Sequence, residues 1–217
     1  MKIDMHCHSR YSYDGNPDPF DVLNSAKKKG LDGIAITEHN NIDSWADYRV
    51  ASQKTGMKLI FGQEIKTKQG DVLAYFITSP LQKGKNAETT IEEIHKQGGL
   101  AVIAHPFHPF EGFKGNLQEY VEIIDGIEVF NARCPFATAN KKALEFAKKN
   151  NLAEIAGSDA HLSLPIGDAF TEIQGAHDLQ GFKSGILKKK SLVKGKTSNF
   201  IFLLGPFLGK IKHLFNK

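Results

Sequence analysis

The amino-acid sequence predicts an α/β fold with a parallel β-sheet. Short apolar runs typical of buried strands alternate with longer amphipathic stretches typical of helices. The pairs Asp32-Gly33, Gly98-Gly99 and Asp125-Gly126 each stand where a helical stretch ends and an apolar run begins. A length of 217 residues corresponds to one domain with an appendage.

The predicted strands are apolar runs bounded by glycine or polar residues. In chain order they are Lys2–Met5, Gly33–Thr37, Lys58–Phe61, Val72–Ile77, Leu100–Ala104, Gly126–Phe130, Leu152–Ala156 and Ala169–Ile173.

The predicted helices lie between these strands and have apolar residues at helical spacing. They are Pro19–Lys29 with Asp18 as N-cap, Ile42–Lys54, Thr90–Lys96, Leu117–Ile124 and Ala137–Asn150. Because strands and helices alternate, functional groups are expected where strands end and the following loops begin.

The composition is that of a globular protein, with 41% hydrophobic and 24% charged residues. No apolar run approaches the about 20 residues that span a bilayer. The first six residues are not an apolar signal stretch, and two cysteines cannot form a disulfide framework, so we expect a cytoplasmic protein.

The charge is distributed unevenly along the chain. Residues 179–217 carry nine lysines and no acidic residue, which leaves a net charge of −5 on residues 1–178. We therefore expect a domain over 1–178 and a basic C-terminal extension over 179–217. An acidic body is not typical of a nucleic-acid binder, and bound metal cations would attract an anionic ligand to it.

Residues that bind metals stand at most of the predicted strand ends. His6 and His8 follow the first strand, and because alternate residues of an extended chain point to the same side, their imidazoles are expected to lie together. Asp159 and His161 repeat this spacing near the end of a later strand.

Nine side chains are expected to converge: His6, His8, Asp14, His39, Glu64, His105, Cys134, Asp159 and His161. Imidazole, carboxylate and thiolate ligands together suit zinc, iron or manganese better than calcium. Nine ligands are too many for one ion, so a cluster of two or three divalent ions with a bridging carboxylate is expected.

These residues resemble an ordered set of motifs from a known family. The set is Asp4-x-His6-x-His8-Ser9, Asp14-Gly15, Thr37-Glu38-His39-Asn40, Glu64, Ala104-His105-Pro106 and Gly157-Ser158-Asp159-Ala160-His161. It is similar to the PHP (polymerase and histidinol phosphatase) superfamily over about residues 1–175. The resemblance implies a distorted (β/α)7 TIM-like barrel with a metal cluster at the C-terminal ends of its strands, and hydrolysis of phosphoesters.

The resemblance also implies how the ligands are shared. His6, His8, Glu64 and Asp159 would hold one ion, Glu64 would bridge to a second ion held by His105 and Cys134, and Asp14, His39 and His161 would hold a third. Glu38 stands where many family members have Asp, and we expect it to orient a ligand.

The expected reaction is attack on a phosphoester by a hydroxide that bridges the two ions sharing Glu64. Arg10 and Arg133 flank predicted ligands, and a guanidinium matches the geometry of phosphate oxygens, so both are candidate catalytic and phosphate-binding residues. Ser9 and Asn131 are further candidate substrate contacts. The expected substrate is small, such as a nucleotide, a sugar phosphate or an amino-alcohol phosphate.

Several alternatives remain open at this point. A 3'/5' nuclease acting on DNA or RNA ends, a non-catalytic metal-stabilised module and a metal-dependent amide hydrolase all fit the ligand set. Residues 206–217 predict a basic amphipathic helix, which could dock on the barrel, contact a second copy of the chain, or lie on the inner surface of an anionic membrane. We favour docking.

Overall fold

A computed structural model of the protein describes residues 1–199 and 201–202. In this part of the chain nine strands form one sheet: β1 (Lys2–Asp4), β2 (Gly33–Ile36), β3 (Lys58–Lys66), β4 (Asp71–Tyr75), β5 (Leu100–Ile103), β6 (Gly126–Asn131), β7 (Ala153–Gly157), β8 (Ala169–Glu172) and β9 (Leu192–Gly195). The helices are α1 (Pro19–Lys28), α2 (Trp45–Thr55), α3 (Ala87–Lys96), α4 (Ala137–Lys149) and α5 (Leu179–Leu187).

The strand order is β7-β6-β5-β4-β3-β2-β1-β8-β9, and the two ends of this order approach each other. Past β7 the N–H of Asp159 donates to the carbonyl of His6, at 2.6 Å. The N–H of His8 donates to the carbonyl of Ala160 at 3.0 Å. The chain beyond β1 therefore runs beside the chain beyond β7, and the sheet is a nearly closed barrel, as the α/β barrel prediction requires.

The sheet is mixed rather than parallel throughout, which corrects the sequence prediction. β4 is antiparallel to both β3 and β5, and β8 is antiparallel to both β1 and β9. A parallel neighbour needs a crossover of a dozen or more residues, whereas only residues 67–70 separate β3 from β4. The short loop therefore forces an antiparallel hairpin.

The core has two layers that follow from strand alternation. The side chains inside the barrel include Met5, Ile60, Leu73, Tyr75 and Val102. The second layer lies between the sheet and the helices and includes Ile34, Ile36, Val72 and Ile103, which alternate with the inward-facing residues. Inside the barrel the hydroxyl of Tyr75 donates to the carbonyl of Met5 at 2.8 Å, so this buried polar group is satisfied.

Three helix predictions need correction. Helix α3 begins at Ala87 rather than Thr90. The segment Leu117–Ile124 forms a 3-10 turn over Leu117–Tyr120, and the side chain of Asn116 accepts the N–H of Gln118 at its start. Helix α2 begins at Trp45 rather than Ile42, since the side chain of Asn41 accepts a hydrogen bond from the N–H of Asp43 and holds a turn ahead of it.

Helix α5 and strand β9 were not predicted. Both lie in the lysine-rich region after residue 178, and β9 pairs with β8 in the register Ala169 to Gly195. The predicted amphipathic helix 206–217 lies outside the described residues. Among the helices that are described, none combines the length and the hydropathy needed to cross a bilayer.

Candidate metal centre

Two imidazoles lie just beyond the C-terminal end of β1. His6 and His8 are fully buried on the same side of the extended chain after β1. Cys7, between them, points the other way, into the layer beneath the helices, where its thiol donates to the carbonyl of Ala35 at 3.4 Å. The alternation of the extended chain therefore places both histidines on one side.

The Nε2 atoms of these histidines face two carboxylates. Oε2 of Glu64 lies 3.4 Å from Nε2 of His6 and 3.4 Å from Nε2 of His8. Oδ1 of Asp159 lies 3.6 Å from the first nitrogen and 3.4 Å from the second. Ligands about 2.1 Å from one zinc ion in tetrahedral geometry are about 3.4 Å apart, whereas an N–H···O hydrogen bond is about 2.9 Å long. The spacing matches shared coordination.

A second set of ligands lies beside the first. Oδ1 of Asp14 is 3.4 Å from Nε2 of His39 and 3.4 Å from Nε2 of His161. The rings of His8 and His39 stack with centroids 4.2 Å apart, and His8 and His161 are similarly close at 4.3 Å. Nδ1 of His39 also lies 2.8 Å from Oε2 of Glu64, so the two sets of ligands are in direct contact through Glu64.

Several atoms in these sets are buried and have no hydrogen bond. They include Nε2 of His6, His8 and His161, and Oδ1 of Asp14. Buried polar atoms are nearly always satisfied in folded proteins, so a group of unsatisfied ones that lie close together indicates a binding site for a cation. The donor set of imidazoles and carboxylates fits divalent zinc, manganese or iron.

The other carboxylate oxygen of Glu64 faces the region that follows β5. Oε1 of Glu64 lies 3.4 Å from Nε2 of His105. Cys134, the predicted partner of His105, lines a small neighbouring cavity with His105 and Glu128, and its Sγ atom lies 3.8 Å from the carbonyl oxygen of Phe136. The three described groups whose ligand atoms lie within 4.8 Å of one another include Glu64 with His105 but do not include Cys134.

Two ligand positions have unusual backbone conformations. His105 has φ of 28° and Asp159 has φ of 51°, both in the left-handed region that side chains rarely adopt. Strained residues of this kind persist where the surrounding structure fixes them, and they cluster at functional sites. The strain therefore supports a functional role for the two loops that follow β5 and β7.

Glu128 is the main residue that the sequence interpretation missed. It is 1% exposed, its Oε1 lies 3.0 Å from Nδ1 of His6, and its Oε2 accepts hydrogen bonds from the N–H of His105 and the side chain of Asn131. A glutamate in the otherwise apolar run of β6 was the available signal. Its carboxylate fixes the orientation of His6 and leaves Nε2 for a metal.

Glu38 and Ser12 perform a similar role on the other side. The hydroxyl of Ser12 donates to Glu38 at 2.6 Å, lies 3.0 Å from Nδ1 of His8 and accepts the N–H of His39 at 3.0 Å. The expectation that Glu38 orients a ligand thus agrees with its contacts, with Ser12 as the intermediate. Ser9, a predicted substrate contact, is instead fully buried and hydrogen-bonded to Glu38.

The two predicted arginines lie in different places. Arg133 lines the pocket, where Nε donates to Asp159 at 2.8 Å and an NH2 group donates to Glu111 at 2.6 Å. Arg10 lies outside this pocket, half-exposed, and pairs with Asp18 and Asp47. The structure therefore brings only Arg133 to the candidate centre.

Asn131 is 2% exposed, and its side chain contacts other protein groups and does not line the pocket. Its side chain donates to Glu128 and Asp159, each at 3.0 Å, and its oxygen accepts the N–H of Cys134. The geometry assigns it to the support of the centre and not to a substrate contact.

The pocket above these groups has a volume of about 270 Å³. Its lining residues are Tyr13, Asp14, His39, Asn40, Glu64, Lys66, Asp71, His105, Glu111, Arg133, Asp159 and His161. Most of the predicted ligands therefore share one concave site, open at one side, that can admit a small anion and its nearest substituent.

The pKa values at the site are shifted so that Glu64 is ionised and His39 is protonated, while His8 is neutral. Burial raises the pKa of Glu64, but the charges of His39 and His6 outweigh it and hold that pKa well below its usual range. Burial lowers the pKa of His39, yet the adjacent Glu64 and Asp14 raise it to about 10. For His8 burial dominates, and its pKa falls to about 3. In the metal-free protein the proton on His39 therefore offsets the negative charge of the neighbouring carboxylates, a role that bound cations would take in the metal-loaded protein.

The comparison with protein families decides the relationship. The family model described as PHP domain matches residues 4–158, and a model described as PHP-associated matches residues 137–190. The protein belongs to the PHP domain family. The match runs from β1 to the first residue after β7 and contains seven of the nine candidate ligands, and Asp159 and His161 follow directly after it.

Two known proteins resemble this PHP domain protein over more than half of its length. An uncharacterized protein of Methanocaldococcus jannaschii is 37% identical over 142 residues, covering 61% of this chain and 82% of the relative. A two-domain Bacteroides vulgatus protein containing a PHP-like metal-dependent phosphoesterase superimposes with a TM-score of 0.77 at 24% identity, covering 97% of this chain and 69% of that one. At this identity the likeness concerns the fold.

A third protein of similar structure is a nuclease. A lesion-specific endonuclease from Pyrococcus furiosus superimposes with a TM-score of 0.64 at 19% identity, covering 86% of this chain and 56% of that one. At this identity the likeness again concerns the fold, which this chain shares with a nuclease.

Proposed function

We propose that this protein is a metal-dependent phosphoesterase that hydrolyses a small phosphorylated substrate at the centre around Glu64. The observation that carries the proposal is the spacing of the ligand atoms. Both oxygens of the buried Glu64 carboxylate lie 3.4 Å from imidazole nitrogens on opposite sides, as a carboxylate bridging two ions would require.

The ligand groups proposed for the ions follow the geometry. His6, His8, Glu64 and Asp159 would hold one ion, Asp14, His39 and His161 another, and Glu64 with His105 a third. Zinc, manganese or iron bound there would supply a nucleophile from water at neutral pH and would stabilise negative charge on the phosphoryl oxygens.

Residues of the chain would orient the substrate. Arg133 is 20% exposed at the pocket wall, and its guanidinium is fixed by Asp159 and Glu111, so it offers a pre-oriented donor to a phosphoryl oxygen. Lys66 is more than half-exposed at the pocket mouth and adds a mobile positive charge. Both cations would offset the negative charge of residues 1–178 when an anion approaches.

The size of the site favours a compact substrate. A cavity of about 270 Å³ is near the lower end of the about 300–1,000 Å³ that small-molecule sites occupy. A phosphorylated sugar, amino alcohol or mononucleotide fits this range, with its phosphate at Arg133 and its remainder towards the open side.

A nuclease is the second candidate, and the Pyrococcus furiosus endonuclease with the same fold favours it. Oligonucleotide binding would need a basic surface, and the nine lysines after residue 178 are the residues that would form it. A steep salt dependence of oligonucleotide binding that becomes less steep on deletion of residues 198–217, which removes three of these lysines, would support this candidate over the first.

The test is a panel of phosphate mono- and diesters, including dinucleotides, assayed with the purified protein while its bound metal is quantified. We expect activity on a small phosphoester in the presence of manganese or zinc, and its loss in Asp159→Asn. The exposed His177 provides a control, since His177→Ala leaves the centre untouched. Full activity in Asp159→Asn, or no hydrolysis of any ester by fully loaded protein, would contradict the proposal.

A further inference from the structure

Asp71 is an additional acidic residue at the metal centre that the ligand motifs do not contain. It opens β4, opposite Lys66 of β3, and its carbonyl accepts the N–H of Ala104, just before His105. Because cross-strand partners share a face of the sheet, Asp71 lies on the same inward face as Lys66 and Glu64. The register of three consecutive strands therefore brings Asp71 beside both Glu64 and His105.

The geometry of this cluster is that of a metal site. Glu64, Asp71 and His105 each offer a ligand atom, these atoms all lie within 4.8 Å of one another, and all three residues are buried. Asp71 is 9% exposed. Two carboxylates this close repel each other unless a cation lies between or beside them.

Lys66 is only a partial counter-ion for this pair. Its ammonium lies 2.9 Å from Oδ2 of Asp71, but the lysine side chain is 57% exposed, so solvent screens its charge. A carboxylate has two oxygens, and the bond to Lys66 leaves the second able to coordinate. A divalent ion would offset the charge of Glu64 and Asp71 together.

Cys134 is placed differently. It lies beyond His105, in the cavity shared with Glu128, and is not part of the group formed by Glu64 and His105. Asp71 thus completes a group with Glu64 and His105, and Cys134 does not.

We propose that Asp71 is a ligand of the ion held by Glu64 and His105, so that this ion has one nitrogen and two carboxylate ligands from the chain. Carboxylate oxygens suit manganese, so this set of ligands can hold a manganese ion without the thiolate of Cys134. The inference rests on the metal centre of the proposed function and not on its substrate.

The experiment counts ions without any substrate. The full-length protein is stripped of metal and dialysed against manganese at a series of free concentrations, with bound manganese determined by elemental analysis. We expect Asp71→Asn to bind one of these ions about 10- to 100-fold more weakly than the parent. Cys134→Ser should bind the same number of manganese ions as the parent, with affinities within about twofold.

Two further variants distinguish ligation from a structural role. Lys66→Gln removes the ion pair but retains the carboxylate, so it should keep all manganese sites; an equal loss in Lys66→Gln and Asp71→Asn would overturn the proposal. Asp71→His replaces oxygen by nitrogen and should retain the ion while shifting its preference towards zinc. If Asp71→Asn fails to fold, this variant decides the question, and an unchanged preference overturns the proposal.

The remaining outcomes are also distinct. Unchanged manganese affinity in Asp71→Asn, or loss of an ion in Cys134→Ser alone, shows that sulfur holds the site and Asp71 does not. A protein that binds its ions as expected but hydrolyses no phosphoester would contradict the proposed function and leave the role of Asp71 intact.

Discussion

Oε1 of Glu128 lies 3.0 Å from Nδ1 of His6, and both side chains are buried completely or almost completely. The same carboxylate accepts the backbone N–H of His105 at 2.8 Å through its other oxygen. One residue of β6 thus fixes candidate ligands that follow β1 and β5. It holds them without lying among the ligands itself.

The first prediction concerns this contact. Glu128→Gln replaces one acceptor oxygen by an amide that donates, so His6 and His105 cannot both keep their acceptors. We expect metal affinity to fall about 10- to 100-fold, as for other partners of metal-binding histidines. Equilibrium dialysis measures it, with the exposed Glu122→Gln as control. Equal affinities in the two variants would rule out this role.

The second prediction concerns protons released by metal binding. Burial lowers the pKa of His105, but Glu64 raises it to about 8, while the pKa of His39 is raised to about 10. Both are protonated at pH 7 in the metal-free protein and must be neutral to coordinate. We expect more than one proton to be released per chain, measured by calorimetry in two buffers of different ionisation enthalpy. Release of less than one proton would refute this.

The same raised pKa values determine a pH dependence of metal-free stability. Their contribution is fully present below the unfolded pKa of about 6.5 and is lost as the pH rises through 8 and then 10. We expect the Tm of the metal-free protein to fall between pH 7 and pH 10, and His39→Gln to flatten this fall. A flat Tm profile for the parent would contradict the charge assignment.

The third prediction concerns Gly157 at the end of β7. A Cβ atom there would lie 2.3 Å from Cβ of His6 and 2.5 Å from its backbone nitrogen. Gly157→Ala must displace His6, so we expect about 3 kcal/mol of destabilisation together with weaker metal binding. Thermal unfolding measures the first effect and dialysis the second.

A matched glycine gives the control. Gly84 has φ of 83° and open space around a built Cβ, so Gly84→Ala should cost only about 1 kcal/mol of backbone strain and leave metal binding unchanged. If both alanine variants lose the same stability and both keep their metal, the close approach of Gly157 to His6 has no functional consequence.

The fourth prediction concerns the partner of Arg133. Glu111 is 42% exposed and lies 2.6 Å from an NH2 group of Arg133, so an anionic substrate must compete with it. We expect Glu111→Gln to lower KM by up to about fivefold with little change in kcat, since a partly exposed ion pair contributes at most about 1 kcal/mol. An unchanged KM would show that the substrate does not reach Arg133.

Local pattern was enough to place most of the candidate ligands. His6 and His8 lie on one side because an extended chain alternates, and Asp159 and His161 lie at the end of a strand because the apolar run before them is buried. Such features depend on the few residues around each position, so a single sequence contains them.

Other features of the fold and the site could not be predicted because the residues that decide them are distant along the chain. The antiparallel setting of β4 depends on a loop too short for a crossover, and β9 forms only because β8 offers it an edge. Ser9 and Arg10 follow His8 directly, yet Glu38 binds the first and two surface carboxylates hold the second, so neither side chain faces the pocket.

An α/β chain with metal-binding residues at its strand ends can be predicted from the amino-acid sequence, because hydrophobic periodicity and residue chemistry are local properties. The oxygen or sulfur atoms that face each histidine become known once the strands are paired in three dimensions. Glu128 and Asp71 join the centre through strand register, and register is fixed by pairings between segments that lie tens of residues apart.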